Sequence, residues 1–200
     1  MKEPPRCSLS SRSASGLSSI DPGAATRLLR IPDPSLVVLV GAAGSGKSTL
    51  AARLFVPSEI LSSDAYREAV SGDAADQRAT KLAFKILHRE VERRLATGRL
   101  AVVDATNVES GARRALLTRA AAAGLPAIAI VLALPSPVVT ARNARREGRV
   151  VEQSVIDHHL RQLAAALAAD RLTAEGFAAV HVLRTPGEVD ALRIERLPVG

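Results

Sequence analysis

The chain has 200 residues, 47% of them hydrophobic, which suits one compact domain with a sizeable core rather than two. No apolar run approaches the roughly 20 residues that span a membrane, and a single cysteine, Cys7, excludes a disulfide framework and a cysteine zinc site; a cytoplasmic protein is the expectation. The net charge of +7 is a tail plus a cluster rather than a basic face: residues 1–30 carry five basic and two acidic groups, and residues 142–149 carry four arginines against one glutamate.

Residues 1–30 are rich in Ser, Arg and Pro without periodicity, and read as a disordered leader. Their Arg-Ser content resembles a transit peptide, but no amphipathic helix accompanies it. The folded domain is expected over residues 31–200. Its first apolar run, 36–40, reads as a buried parallel strand. Directly behind it stand Gly41, Ala42, Ala43, Gly44, Ser45, Gly46, Lys47, Ser48 and Thr49, a match to G-x-x-x-x-G-K-[ST] between a strand and a helix. In such a loop, small residues let backbone N–H groups close around phosphate oxygens. Lys47 reaches the β- and γ-phosphates, and the Ser48 hydroxyl ligates Mg²⁺. ATP and Mg²⁺ are the cofactors this implies.

Residues 59–63 read as a second strand ending at Asp64, with Arg67 one turn into the next helix. A long helix over 75–96 follows, with Ala79, Ala83, Leu87, Val91 and Leu95 as its apolar stripe. Residues 100–103 form a third strand ending at Asp104, and residues 109–123 a helix. The fourth strand is 127–134, followed by an arginine-dense helical segment at 138–147 and a helix at 152–169. A fifth strand at 178–183 and a short helix at 187–196 complete the chain. Strands alternating with helices imply a three-layer α/β fold of the P-loop NTPase type. It has a five-stranded parallel sheet, helices on both faces and an arginine-bearing helical lid.

Ligands of such sheets bind beyond the carboxyl ends of the strands, which selects the P-loop, Asp64 with Arg67, and Asp104 with Asn107. A strand-end carboxylate at Asp64 suits alignment or deprotonation of an attacking hydroxyl; it equally suits a helix N-cap. Asp104 closes an apolar run, as a carboxylate supporting Mg²⁺ does, directly or through water. Asn107, with Thr106, contacts an acceptor or only orders the turn. Arg142, Arg145, Arg146 and Arg149 form the basic cluster. Arg142 and Arg146, four apart, share a helix face, either as a lid on the phosphates or as a solvated surface. Adjacent His158 and His159 lack the spacing of a helical metal pair, and His88 and His181 read as structural. With Phe55, Tyr66, Phe84 and Phe177 the only aromatics, a stacking platform for many bases is disfavoured.

Taken together, these motifs resemble the kinase module of bacterial and phage polynucleotide 5′-hydroxyl kinases, here as a stand-alone domain. The resemblance rests on residues 41–49, Ser-Ser-Asp-Ala-Tyr-Arg (62–67) and Asp-Ala-Thr-Asn-Val (104–108). It extends through Ala-Arg-Asn-Ala-Arg-Arg (141–146) and Val-Ile-Asp-His-His (155–159). It implies Asp64 as general base on a 5′-hydroxyl, Arg67 on the acceptor's phosphate, and Arg142 and Arg146 on the ATP phosphates. The implied partners are ATP and a nucleic-acid 5′ end, with no membrane and no obligate protein partner. Two other readings stay open: a small-molecule kinase acting on a sugar, antibiotic or nucleotide-sugar, and an ATP-binding switch that transfers nothing.

Overall fold

A computed structural model of the chain describes residues 26–72, 79–146 and 150–198. Five parallel strands run in the order β3 (Ile60–Ser62), β4 (Ala101–Asp104), β2 (Leu36–Gly41), β5 (Ala127–Leu132) and β6 (Ala179–Leu183). Every residue of β2, β4 and β5 is buried, because a parallel sheet covered on both sides has no wet face. Alternation along β2 then sorts the core in two. Val38 and Val40 pack on one side with Leu87 and Val91 of α3 (Thr80–Ala96) and Leu116 of α4 (Ser110–Ala122). Val37 and Leu39 pack on the other with Leu50 of α1 (Lys47–Leu54) and Val139 of α5 (Ser136–Ala144). The five α3 stripe positions expected from spacing are all buried.

The chain leaves β2 toward β3 and β4 on one side, then crosses back to β5 on the other. The carboxyl end of β2 is therefore the switch point of the sheet, where a crevice opens. The P-loop occupies that point. No helix among the described residues is long and apolar enough to cross a membrane.

Two expectations are corrected. Residues 27–30 are not part of a structureless leader: they open β1 (Arg27–Asp33), and of the expected leader residues 1–25 lie outside the described region. Residues 187–196 are not one helix. A short α8 (Pro186–Ala191), capped by the Thr185 hydroxyl, gives way to β7 (Leu192–Pro198). β7 pairs in parallel with β1 as a separate two-stranded ribbon. The reason is period-two patterning: Leu29 and Ile31 alternate inward between exposed Leu28 and Arg30, and Leu192 and Ile194 do the same between charged residues. The expected start of α3 at 75 falls partly outside the described residues; the helix is described from Thr80.

A two-stranded ribbon is marginal alone, and side chains fasten this one to the domain. Arg196 donates to both Glu59 carboxylate oxygens at 2.7 Å and to Asp33 at 3.3 Å. Arg53 donates from α1 to the carbonyls of Asp190 and Leu192. Burial opposes the charge on Glu59, yet the Arg196 guanidinium and the Val56 amide outweigh it and hold its pKa below the ordinary value. A depressed carboxylate contributes stability above its unfolded pKa and loses it as pH falls through the folded one. Glu59→Gln should therefore lower stability at neutral pH by about 1–3 kcal/mol, with the gap to the parent closing as the pH falls below about 4. Urea midpoints across that range measure it; a gap independent of pH would contradict the ion pair.

Candidate active site

β2 stops at Gly41 and α1 starts at Lys47, and the turn between them is set by two close approaches. A Cβ on Gly41 would stand 2.9 Å from the Ser45 hydroxyl and 3.1 Å from the Leu132 carbonyl. Gly44 has φ +81°, and its Cβ would meet the Val139 carbonyl at 3.0 Å and Asn143 at 3.1 Å. The first position is too crowded for a side chain; the second is also left-handed. The loop is thereby pressed against β5 on one side and α5 on the other. Inside it, the Lys47 ammonium donates to the carbonyls of Gly41 (2.9 Å) and Ala42 (2.8 Å). Lys47 is thus held at the loop with its charge partnered.

One cavity of about 1230 Å³ joins the sequence-predicted residues: Lys47, Ser48, Thr49, Asp64, Arg67, Asp104, Asn107, Arg142 and Arg146 all line it. Ala43, Gly44 and Gly46 do so too, whereas Gly41, Ala42 and Ser45 lie beneath the loop. Arg145 is exposed and away from the cavity, and Arg149 lies outside the described residues.

On the far wall, β3 ends at the N-terminus of α2 (Ser63–Ser71). The helix is capped by Ser62, whose hydroxyl accepts from the Ala65 amide, so Asp64 is not the cap. The Asp64 carboxylate instead forms an ion pair with Arg67 and accepts from the Ser63 hydroxyl at 3.4 Å. Arg67 is buried while the Asp64 side chain keeps 37% exposure. The buried guanidinium thus aims a carboxylate that remains reachable.

Asp104 ends β4 in register with Ser62 and is 5% exposed. The turn behind it is built into the P-loop strand. Gly41 donates its N–H to the Thr106 carbonyl, and the Asn107 amide donates to the Leu39 carbonyl at 2.8 Å. Asn107 has φ +49°, which Asn tolerates better than most residues. These contacts match the turn-ordering role. Arg113 supports the same turn from α4, donating to the carbonyls of Asn107 and Val108 and, in a fork, to Glu175.

α5 carries the arginines. Arg142 donates to the Ser45 carbonyl at 3.2 Å, which brings its guanidinium to the phosphate loop. Asn143, 4% exposed, exchanges two hydrogen bonds with the Val151 backbone. A further residue belongs to the site: His159, on α6 (Gln153–Leu167), lines the cavity and accepts from the Ala43 amide at 3.4 Å. Its pKa is held below the ordinary value, first by burial, then by Lys47 and His158, with Glu109 opposing. Glu152, Val155 and His159 all line the cavity, a spacing of three and four that was present in the sequence.

The donor set suits Mg²⁺ rather than a metal caged by protein. No cluster of three or more His, Cys, Asp or Glu exists among the described residues. Ser48 and Asp104 line the same cavity as the phosphate loop and would offer one hydroxyl and one carboxylate, few protein ligands, as suits an ion bound with substrate phosphates and water.

No curated protein sequence matches the chain. Among solved structures, it is similar to a chain of the Pnkp1/Rnl/Hen1 RNA repair complex, with 25% identity and a TM-score of 0.59, over 68% of this chain and 45% of that one. Kti12 from Chaetomium thermophilum, solved in complex with ADP-AlF3, aligns at 18% identity and TM-score 0.57, over 78% of this chain and 93% of its own. A sugar kinase from Janibacter sp. HTCC2649 aligns at 22% and 0.53, over 78% and 88%. The last two likenesses show the fold alone. The model of the AAA_33 family, described as an AAA domain, matches residues 36–169, from the start of the P-loop strand past the end of α6. The chain belongs to that AAA-domain family.

Proposed function

We propose that the protein is an ATP- and Mg²⁺-dependent phosphotransferase that moves the γ-phosphate to a hydroxyl, with a polynucleotide 5′-OH as the preferred acceptor. The observation that carries this reading is the placement of two different charged sets across one cavity. Lys47, Arg142 and Arg146 stand on the P-loop side, and Asp64 with Arg67 on the other. A protein that only binds or hydrolyses nucleotide has no use for a guanidinium-aimed carboxylate on the acceptor side.

In this reading the loop amides and Lys47 hold the β- and γ-phosphates, and Arg142 and Arg146 balance the charge that spreads over the transferring group. Ser48 and Asp104 hold Mg²⁺, which supplies neutralisation of the phosphate oxygens. Asp64 orients the acceptor hydroxyl for in-line attack and takes its proton. Arg67 holds that carboxylate in place through the ion pair and offers a donor to an acceptor phosphate. Asn107 enters as the residue that orders the turn. The likeness to the RNA repair complex chain supports the polynucleotide acceptor. A small-molecule hydroxyl is the second reading, favoured by the apolar part of the cavity wall: Phe84 and Leu87 of α3 and Ala112, Ala115 and Leu116 of α4.

Incubation with labelled ATP, Mg²⁺ and 5′-OH DNA or RNA oligonucleotides should put label on the oligonucleotide. Label appearing only on sugars, nucleosides or drugs would replace the acceptor, and ADP release independent of any acceptor would discard the transferase reading. Asp64→Asn should reduce transfer by about 10²–10⁴-fold while ADP affinity stays near that of the parent; full turnover in this variant refutes the base role. Gly44→Ala tests the other wall. Its left-handed backbone adds about 1–2 kcal/mol of strain, and the new methyl pushes the loop off α5. The expected result is a lower melting temperature together with weakened ADP binding, and retention of both would mean the loop is not held as described.

A further inference from the structure

The Ala43 amide belongs to the run of N–H groups that a P-loop offers to phosphate. Here it donates to Nδ1 of His159 at 3.4 Å, a long and therefore replaceable hydrogen bond. A ring that accepts at Nδ1 is the neutral tautomer, with its proton on Nε2. The groups facing it are Lys47 of α1, His158 of its own helix and Glu109 ahead of α4, with Arg142 and Arg146 of α5 on the same cavity. Without an anion, burial first, then Lys47 and His158, outweigh Glu109 and favour the neutral ring; the carboxylates of Asp64, Asp104 and Glu152 line the same cavity. A di- or triphosphate at the loop reverses the sign of that field and favours the imidazolium. The imidazolium has two donors and no acceptor, so it cannot keep the Ala43 N–H.

We propose that His159 is a positioning residue of the phosphate-binding loop: neutral, it holds the Ala43 amide in place until phosphate arrives, and protonated it releases that amide to a phosphate oxygen and donates to the same anion itself. The proton taken up on Nδ1 comes from water, so nucleotide binding and protonation are linked. The inference rests on the reading that the cavity takes a nucleotide. The sign of the linkage follows: a group whose proton affinity is higher in the complex makes binding tighter as pH falls.

The test is a histidine NMR titration of the full chain, alone and with Mg²⁺ and ADP, with the His159 signal identified by its loss in His159→Gln. Proton affinity at His159 should rise about tenfold in the complex. As the pH falls from about 8.5, ADP affinity should tighten more in the parent than in His159→Gln, the difference approaching about tenfold only below the titration of the free ring; the nucleotide's own titration is common to both and cancels. Should His159→Gln not fold, the signal is identified by elimination with His88→Gln, His158→Gln and His181→Gln, and the parent protein alone decides. An unchanged His159 titration on ADP binding, or the same pH profile in parent and variant, overturns the inference. Failure of ADP to bind the parent at any pH removes the nucleotide reading and the inference with it.

Discussion

The structure depends on the absence of side chains at two points in the P-loop. Gly41 lets the loop close on β5, and Gly44 lets it sit directly on the backbone of α5. The arginine-bearing helix is therefore rooted on the phosphate loop rather than hinged at a distance from it. Asn143 fastens the root by bracketing Val151 with a donor and an acceptor, and Arg142 clips it to Ser45. The loop and the Arg142 guanidinium are thus fixed in relation to one another; in the phosphotransferase proposed above, such an arrangement would stabilise developing charge at little reorganisation cost.

The turn that carries Asp104 depends on a buried charge. Arg113 is 2% exposed, and a guanidinium so far from water is tolerated only when its N–H groups are satisfied. It divides them between the carbonyls of the 104–108 turn and the Glu175 carboxylate on α7 (Arg171–Glu175). The position of Asp104 is thereby tied to a helix late in the chain, on the same side of the sheet. Arg67 repeats the device on a smaller scale, one buried cation orienting one accessible carboxylate.

Much of this was legible in the sequence because it obeys local rules. The P-loop motif, the three buried strands and the α3 stripe follow from spacing alone, and the strand-end rule put the P-loop, Asp64 with Arg67 and Asp104 with Asn107 at one edge. What was missed depends on distant partners. β1 and β7 carry only two inward residues each, too short a pattern to stand out beside Pro- and Arg-rich neighbours until the two segments pair. Arg113 does not stand out in the sequence, because nothing near it there announces Glu175. His159 was judged by its relation to His158, whereas its meaning lies in the Ala43 amide, 116 residues away. The Asp64 cap question was decided by one hydroxyl two residues earlier.

The β1–β7 ribbon also sets how the molecule would answer a mechanical force. Its strands run parallel, with Arg27 beside Leu192 and Asp33 beside Pro198. The chain therefore enters at one end of the ribbon and leaves at the other. Tension applied along those two directions slides the strands past each other instead of peeling them apart, so the ladder's bonds resist together rather than one at a time. The sheet and the cavity lie between these strands in sequence, shielded from the pull until the ribbon yields. A feature that looks peripheral to the chemistry is thus the clasp that closes the domain on itself.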